Sequence, residues 1–202
     1  MPCRPASIVL FLSTVVPGIS CKPGPAALAT LTPTPTPAVR AADSFAYAVG
    51  SKSYVTEAKD ADGWYNAQDL GENDHLGEDW NKDTGGNSDC GEPVYSIANG
   101  VITYSRNAGP GWGNVLIIEH TLPSGEKLES VYGHLNELLR TNGEVTKREQ
   151  IGTIGNANGL YPCHLHLELR TSECPVWNQP GNGYSSERKG WIDPSDFINS
   201  RR

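Results

Sequence analysis

Four of the five histidines in this 202-residue chain fall in three short segments whose residue types can hold and use a metal ion. In HLHLELR (His164–Arg170), the period of two in a strand sets His164, His166, Glu168 and Arg170 on one face. Cys163, Leu165, Leu167 and Leu169 then take the other. The two imidazoles would stand roughly 7 Å apart along the strand, within reach of one small site, although such a pair also suits an ordinary half-exposed face. In HLGED, His75 and Asp79 are four residues apart, and Gly77 between them is expected to allow a sharp backbone turn. Nitrogen and carboxylate donors suit zinc, and three protein ligands leave a fourth position open for water. In YGHL, His134 stands at the end of a strand. No H-E-x-x-H occurs in the chain, so a helical pair of ligands with a glutamate base is not available. His120 closes an apolar run and fits no ligand spacing, so a hydrogen-bonded structural role is expected.

The elements that must position these side chains read as strands. Pro93–Ala98 and Val101–Ser105 flank Asn99-Gly100, a strong short hairpin signal. Asn114–His120 (NVLIIEH) is a short apolar run, Lys127–Tyr132 alternates, and Ile151–Ile154 precedes the histidine strand, with Gly-rich turns between all of them. One short helix is expected near the end, with Asp193 as N-cap and Pro194 in its first turn. A second is expected over Asn136–Arg140. Many short strands with close turns and few helices predict a mainly β domain, and no internal repeat is visible.

Taken together and in this order, the three segments closely resemble the lysostaphin-like (LytM-type) zinc metallopeptidases that cut peptidoglycan peptides. That family carries H-x(3)-D, then Y-x-H-L, then H-x-H on a strand. GEPVYSIANGVI (residues 91–102), GWGNVLIIEH (residues 111–120) and the Gly-rich approach to His164 extend the resemblance over about residues 70–170. It implies antiparallel sheets around a metal-holding groove, one zinc ion per domain, and hydrolysis of peptide bonds in peptidoglycan cross-links or stem peptides. Carried over position by position, it makes His75, Asp79 and His166 the metal ligands, and His134 and His164 the unligated catalytic pair. Which of those two is the general base stays open. Two neutral nitrogens and one carboxylate would leave a zinc site with a charge of about +1, which favours acidifying a bound water to a pKa of about 7. Tyr132 and Tyr161 either line the groove or pack, and Trp64, Trp80 and Trp112 either shape the cleft or belong to the core. Residues 171–190 give no motif.

The remaining composition bounds the rest of the protein. Eight of the 15 prolines lie in the first 37 residues. Residues 1–21 read as an export signal, with the apolar stretch Ala6–Val16 and a partial lipobox ending at Cys21. Lipid anchoring at Cys21 and ordinary cleavage with release are both compatible with it, and that anchor is the only membrane attachment expected. Residues 22–45, with Thr-Pro alternation, read as an extended tether, and residues 46–202 as the peptidase domain. The net charge of −7 argues against a nucleic-acid partner held by its phosphates. Residues 57–92 carry 11 acids against two lysines, a local −9 that leaves +2 for the flanks. With Cys3 and Cys21 set aside, Cys90, Cys163 and Cys174 allow at most one internal bridge, and their pairing stays open. Two rival functions remain at this stage. One is a non-catalytic wall-binding or hydrolase-activating module of the same fold. The other is a non-haem iron oxygenase built on a two-histidine, one-carboxylate triad.

Overall fold

Strands supply nearly all of the regular structure in the computed structural model, which describes residues 39–51 and 63–202. The signal reading, Cys21 and tether residues 22–38 lie outside the described residues. The strands are β1 (Trp64–Gln68), β2 (Glu78–Lys82), β3 (Pro93–Tyr95), β4 (Gly100–Asn107), β5 (Asn114–Thr121), β6 (Lys127–Leu138), β7 (Glu144–Val145), β8 (Gln150–Ile154), β9 (Leu165–Thr171) and β10 (Trp191–Ile192). Their order across the sheet is β1-β2-β9-β6-β5-β4-β7. β10 adds to β9, and β8 joins β3 to the far end of β6. Every one of these pairings is antiparallel. The fold is the mainly β arrangement expected from the sequence.

Alternation explains how the central strands are buried. Leu165, Leu167 and Leu169 of β9 enter the main core with Trp80, Leu116, Ile118 and Tyr132. Removing one such leucine side chain would cost about 2–5 kcal/mol. In β5, Val115 and Ile117 face the other way and pack with Trp112 and Val131. That strand is apolar on both faces because the sheet is covered on both.

The last residues expected to belong to the tether are part of this packing. Ala42 and Phe45 are buried in the main core, beside Tyr47, Ala48 and Val49 at the start of the expected domain. The amide of Ala42 donates to the Thr121 carbonyl, and that of Ala46 to the Ile97 carbonyl.

Two expected elements are different in the structure. Asn99-Gly100 is not a hairpin: β3 pairs with β8, and β4 with β5 and β7. Gly100 has no positive φ, as a tight type I′ turn would require. A Cβ there would lie 2.5 Å from Ile118 Cγ2 and 2.6 Å from the Glu119 carbonyl, so the glycine serves close strand approach. The helix expected over Asn136–Arg140 is also absent, because β6 continues to Leu138. Leu135 pairs with Ile154 and Leu138 with Gly152, so pairing with β8 overrides the local helical preference. The terminal helix α1 (Pro194–Asn199) does form, and the Asp193 side chain caps the Asp196 amide at 2.7 Å.

Candidate metal centre and cleft

β2 and β9 bring the first and third motifs together. Asp79 and His166 are direct partners in the β2–β9 ladder. Gly77 makes that approach possible through its bare Cα rather than through a sharp turn. A Cβ there would lie 2.5 Å from the Leu167 carbonyl and 2.9 Å from Glu168 Cγ. Glu78 is buried behind Asp79 and accepts from the Ser195 amide, the Ser195 hydroxyl and the Trp80 indole. Burial pushes the Glu78 carboxyl up to about 8 despite those bonds. This clamp ties α1 to the strand that carries Asp79.

Three donor atoms converge. His166 Nδ1 lies 2.9 Å from His75 Nε2 and 3.0 Å from Asp79 Oδ1, and His75 Nε2 lies 3.2 Å from the same oxygen. Burial alone would raise the Asp79 carboxyl, but hydrogen bonds from His166 and His75 hold it well below the usual carboxylate range. Burial likewise opposes charge on His166, yet Asp79 and Glu168 together raise that ring to about 9.

The chemistry of this donor set fits a cation. Glu168 Oε1, 3.0 Å from His166 Nε2, fixes a proton on that nitrogen. The Nδ1 lone pair then points at the Asp79 carboxylate, an acceptor. Only a further proton or a metal between them relieves the opposition. His75 Nδ1 is buried with no hydrogen-bond partner, so that ring is held from its Nε2 side. A histidine whose second nitrogen donates to a carboxylate is the usual support of a metal ligand.

β6 brings the remaining two histidines. It pairs with β9 as far as Gly133, opposite His166, and then turns to β8. The turn is made at His134, whose φ is 60°. A non-glycine residue there stores roughly 1–3 kcal/mol, held in place by surrounding contacts. The His134 amide donates to the Trp112 carbonyl at 2.9 Å, and Nδ1 lies 3.2 Å from the same oxygen. Burial, with His166 and His164 nearby, pushes His134 down to about 3. His164 lies against it, with ring centroids 4.6 Å apart, and its Nδ1 is 2.9 Å from the Pro162 carbonyl. Both Nδ1 atoms face carbonyl oxygens, which only accept, so each carries the ring proton and leaves Nε2 as the acceptor.

All five predicted residues therefore share one site. Asp79, His134, His164 and His166 line a cleft of about 250 Å³, and His75 lies just behind it. Tyr161 and Trp112 also line the cleft, whereas Tyr132 is a core residue that accepts from the Ile97 amide. Trp64 and Trp80 are core as well. His120 is structural, with Nδ1 2.8 Å from the Asn99 carbonyl and Nε2 2.7 Å from the Ser130 hydroxyl. Cys90 and Cys163 form a disulfide that ties the turns between β2 and β3 to the residue before His164, and Cys174 is free and buried.

Tyr184 was not legible in the sequence. Its backbone bridges to His75, its ring centroid lies 5.1 Å from that imidazole, and it lines the cleft. It sits in an irregular segment with no periodicity to flag it. Glu168 did carry a signal, since strand parity sets it on the face of His166.

Comparison with known proteins decides the family. The model of peptidase family M23 matches residues 74–178, about half of the chain, including the three motifs. The chain belongs to peptidase family M23. Within it, the chain is 36% identical over 86 residues to the DD-carboxypeptidase/endopeptidase Mpg of Neisseria meningitidis, covering 43% of this chain and 19% of that protein. It is 33% identical over 81 residues to the murein hydrolase activator NlpD of Salmonella dublin, covering 40% and 20%. The chain thus spans about a fifth of each of these M23 relatives. Among solved structures, the catalytic domain of lysostaphin from Staphylococcus simulans aligns at TM-score 0.44 and 20% identity, covering 76% of this chain and 90% of that one.

Proposed function

We propose that this M23 protein is an exported zinc metalloendopeptidase that hydrolyses peptide bonds in peptidoglycan cross-links or stem peptides. The supporting observation is the convergence of His75, Asp79 and His166 beside a second pair of histidines at one cleft. In this reading residues 1–21 direct export, Cys21 is the anchor where lipid is added, and the tether runs from residue 22 to short of Ala42, where the chain enters the core of the peptidase domain.

His75 Nε2, an Asp79 oxygen and His166 Nδ1 would hold the metal. A zinc ion there would supply Lewis acidity to the scissile carbonyl and to the attacking water. The chain supplies the rest. Asp79 stays ionised, and Glu168 keeps the His166 proton on Nε2 so that Nδ1 remains a donor to the metal. His134 and His164 each present an unprotonated Nε2. One is placed to accept a proton from the water, and the other to meet the oxyanion after proton uptake. Trp112, Tyr161 and Tyr184 restrict the cleft and orient a peptide across the site.

The test is mass analysis of muropeptides released from purified peptidoglycan by the protein, with and without a chelator. Release of cleaved peptides that stops on chelation and returns with zinc is expected. No release under any metal condition would sink the proposal. Likeness to the Salmonella activator favours a second reading, a non-catalytic activator of another hydrolase. It requires no use of His134 and His164, and it predicts cleavage only when that hydrolase is added.

A further inference from the structure

The face of β9 that carries His166 continues into a buried charged array that a metal site alone does not explain. Arg170 is fully buried two residues beyond Glu168. Its Nε donates to Glu168 Oε2 at 2.6 Å, while Glu168 Oε1 meets His166 Nε2 at 3.0 Å. Its other nitrogens reach across to a distant turn. They donate to the carbonyls of Val176 at 3.3 Å, Gln179 at 2.6 Å and Pro180 at 2.5 Å. Glu129 completes the array, accepting from Arg170 at 3.1 Å and from the Asn178 amide at 2.8 Å.

That turn runs directly into the cleft wall. The Gly181 carbonyl accepts from the Trp112 indole at 2.9 Å, the Gly183 carbonyl from the Leu76 amide at 3.0 Å, and Tyr184 bridges to His75. Stability alone does not call for an ionic array here, because apolar residues of like volume often serve as well. Charge in this position does what apolar packing cannot: one planar fork fixes two carboxylates and three carbonyls in direction.

We infer that Arg170 is a positioning residue that couples the orientation of His166, through Glu168, to the placement of the cleft wall at residues 176–184. The inference rests on the metal-site reading above, and it adds that filling the metal site tightens a wall that contributes no ligand. Linkage makes this reciprocal: whatever fixes the wall also strengthens metal binding.

Amide hydrogen exchange of the full protein, metal-free and loaded with zinc, tests it. Protection at the amides of Asn178 and Gln179 is expected to rise roughly tenfold on loading, within the ordinary span of coupling between sites. In Arg170→Lys, which keeps the charge but loses the fork, that rise should disappear while zinc still binds. Glu168→Gln should weaken zinc binding by about 10–100-fold in a chelator competition. Zinc that binds without protecting these two amides in the wild-type protein overturns the inference, and this comparison decides even where a variant does not fold. A protein that binds no zinc overturns the metal-site reading and the coupling together. Failure to cleave muropeptides overturns the peptidase reading alone, since neither measurement uses substrate.

Discussion

At the scale of single residues, five side chains divide into two tasks, and substitution should separate them. His166 Nδ1 is within 3.0 Å of both other proposed donors, so His166→Ala removes one of three ligands. His134 touches none of the donor atoms at hydrogen-bond distance and is held by Trp112 instead. We expect His166→Ala to lose bound zinc in elemental analysis. His134→Ala should keep zinc while muropeptide release falls by about 10²–10⁴, the usual span for a proton-transfer group. Equal zinc loss in both variants would refute the division. The spacings were legible because histidine is scarce enough for its intervals to carry information, whereas Asp79, among the 11 acids of residues 57–92, stood out only by its four-residue spacing from His75 and by the family resemblance. Tyr184 was not legible: an aromatic in an irregular segment acquires its place only through the bridge to His75.

At the scale of elements, the sequence showed which segments are strands better than which strands meet. The alternation in HLHLELR gave the two faces of β9 correctly, since period two is a property of the strand itself. Asn99-Gly100 misled because the same dipeptide serves a tight turn or a close strand approach, and only the partner strand distinguishes them. The Asn136–Arg140 segment misled for a related reason, since its strand state is imposed by β8. Gly77 shows how an element depends on one hydrogen atom. With a Cβ 2.5 Å from the Leu167 carbonyl, Gly77→Ala must move β2 away from β9 and carry Asp79 with it. The expected result is a loss of about 1–3 kcal/mol in denaturant unfolding, as for other overpacked sites. Zinc affinity should fall with it. An unchanged midpoint and unchanged zinc affinity together would show that the strands have slack at this point.

At the scale of the whole molecule, two features outside the cleft set the conditions under which the site exists. The Cys90–Cys163 bridge spans 73 residues, which by chain entropy corresponds to about 4–5 kcal/mol of stabilisation. Cys90→Ala/Cys163→Ala should lower the thermal midpoint accordingly, and reduction of the wild-type protein should match it. His120 sets a limit in pH. It joins β5 to the Asn99 carbonyl and to Ser130 of β6, and burial pushes its pKa down to about 4 from an ordinary value near 6.5. A histidine depressed in the folded state takes up its proton more readily when unfolded. Its contribution is therefore complete above about pH 6.5 and is lost as pH falls from there toward 4. A gap of about two and a half pH units corresponds to roughly 3 kcal/mol. Denaturant unfolding at pH 7.5 and pH 5 should show the wild-type protein weakening on acidification. His120→Gln, less stable at pH 7.5, should show a smaller decline, because the glutamine does not titrate. Equal declines in the two proteins would assign the acid sensitivity to another buried histidine, such as His134, and not to His120.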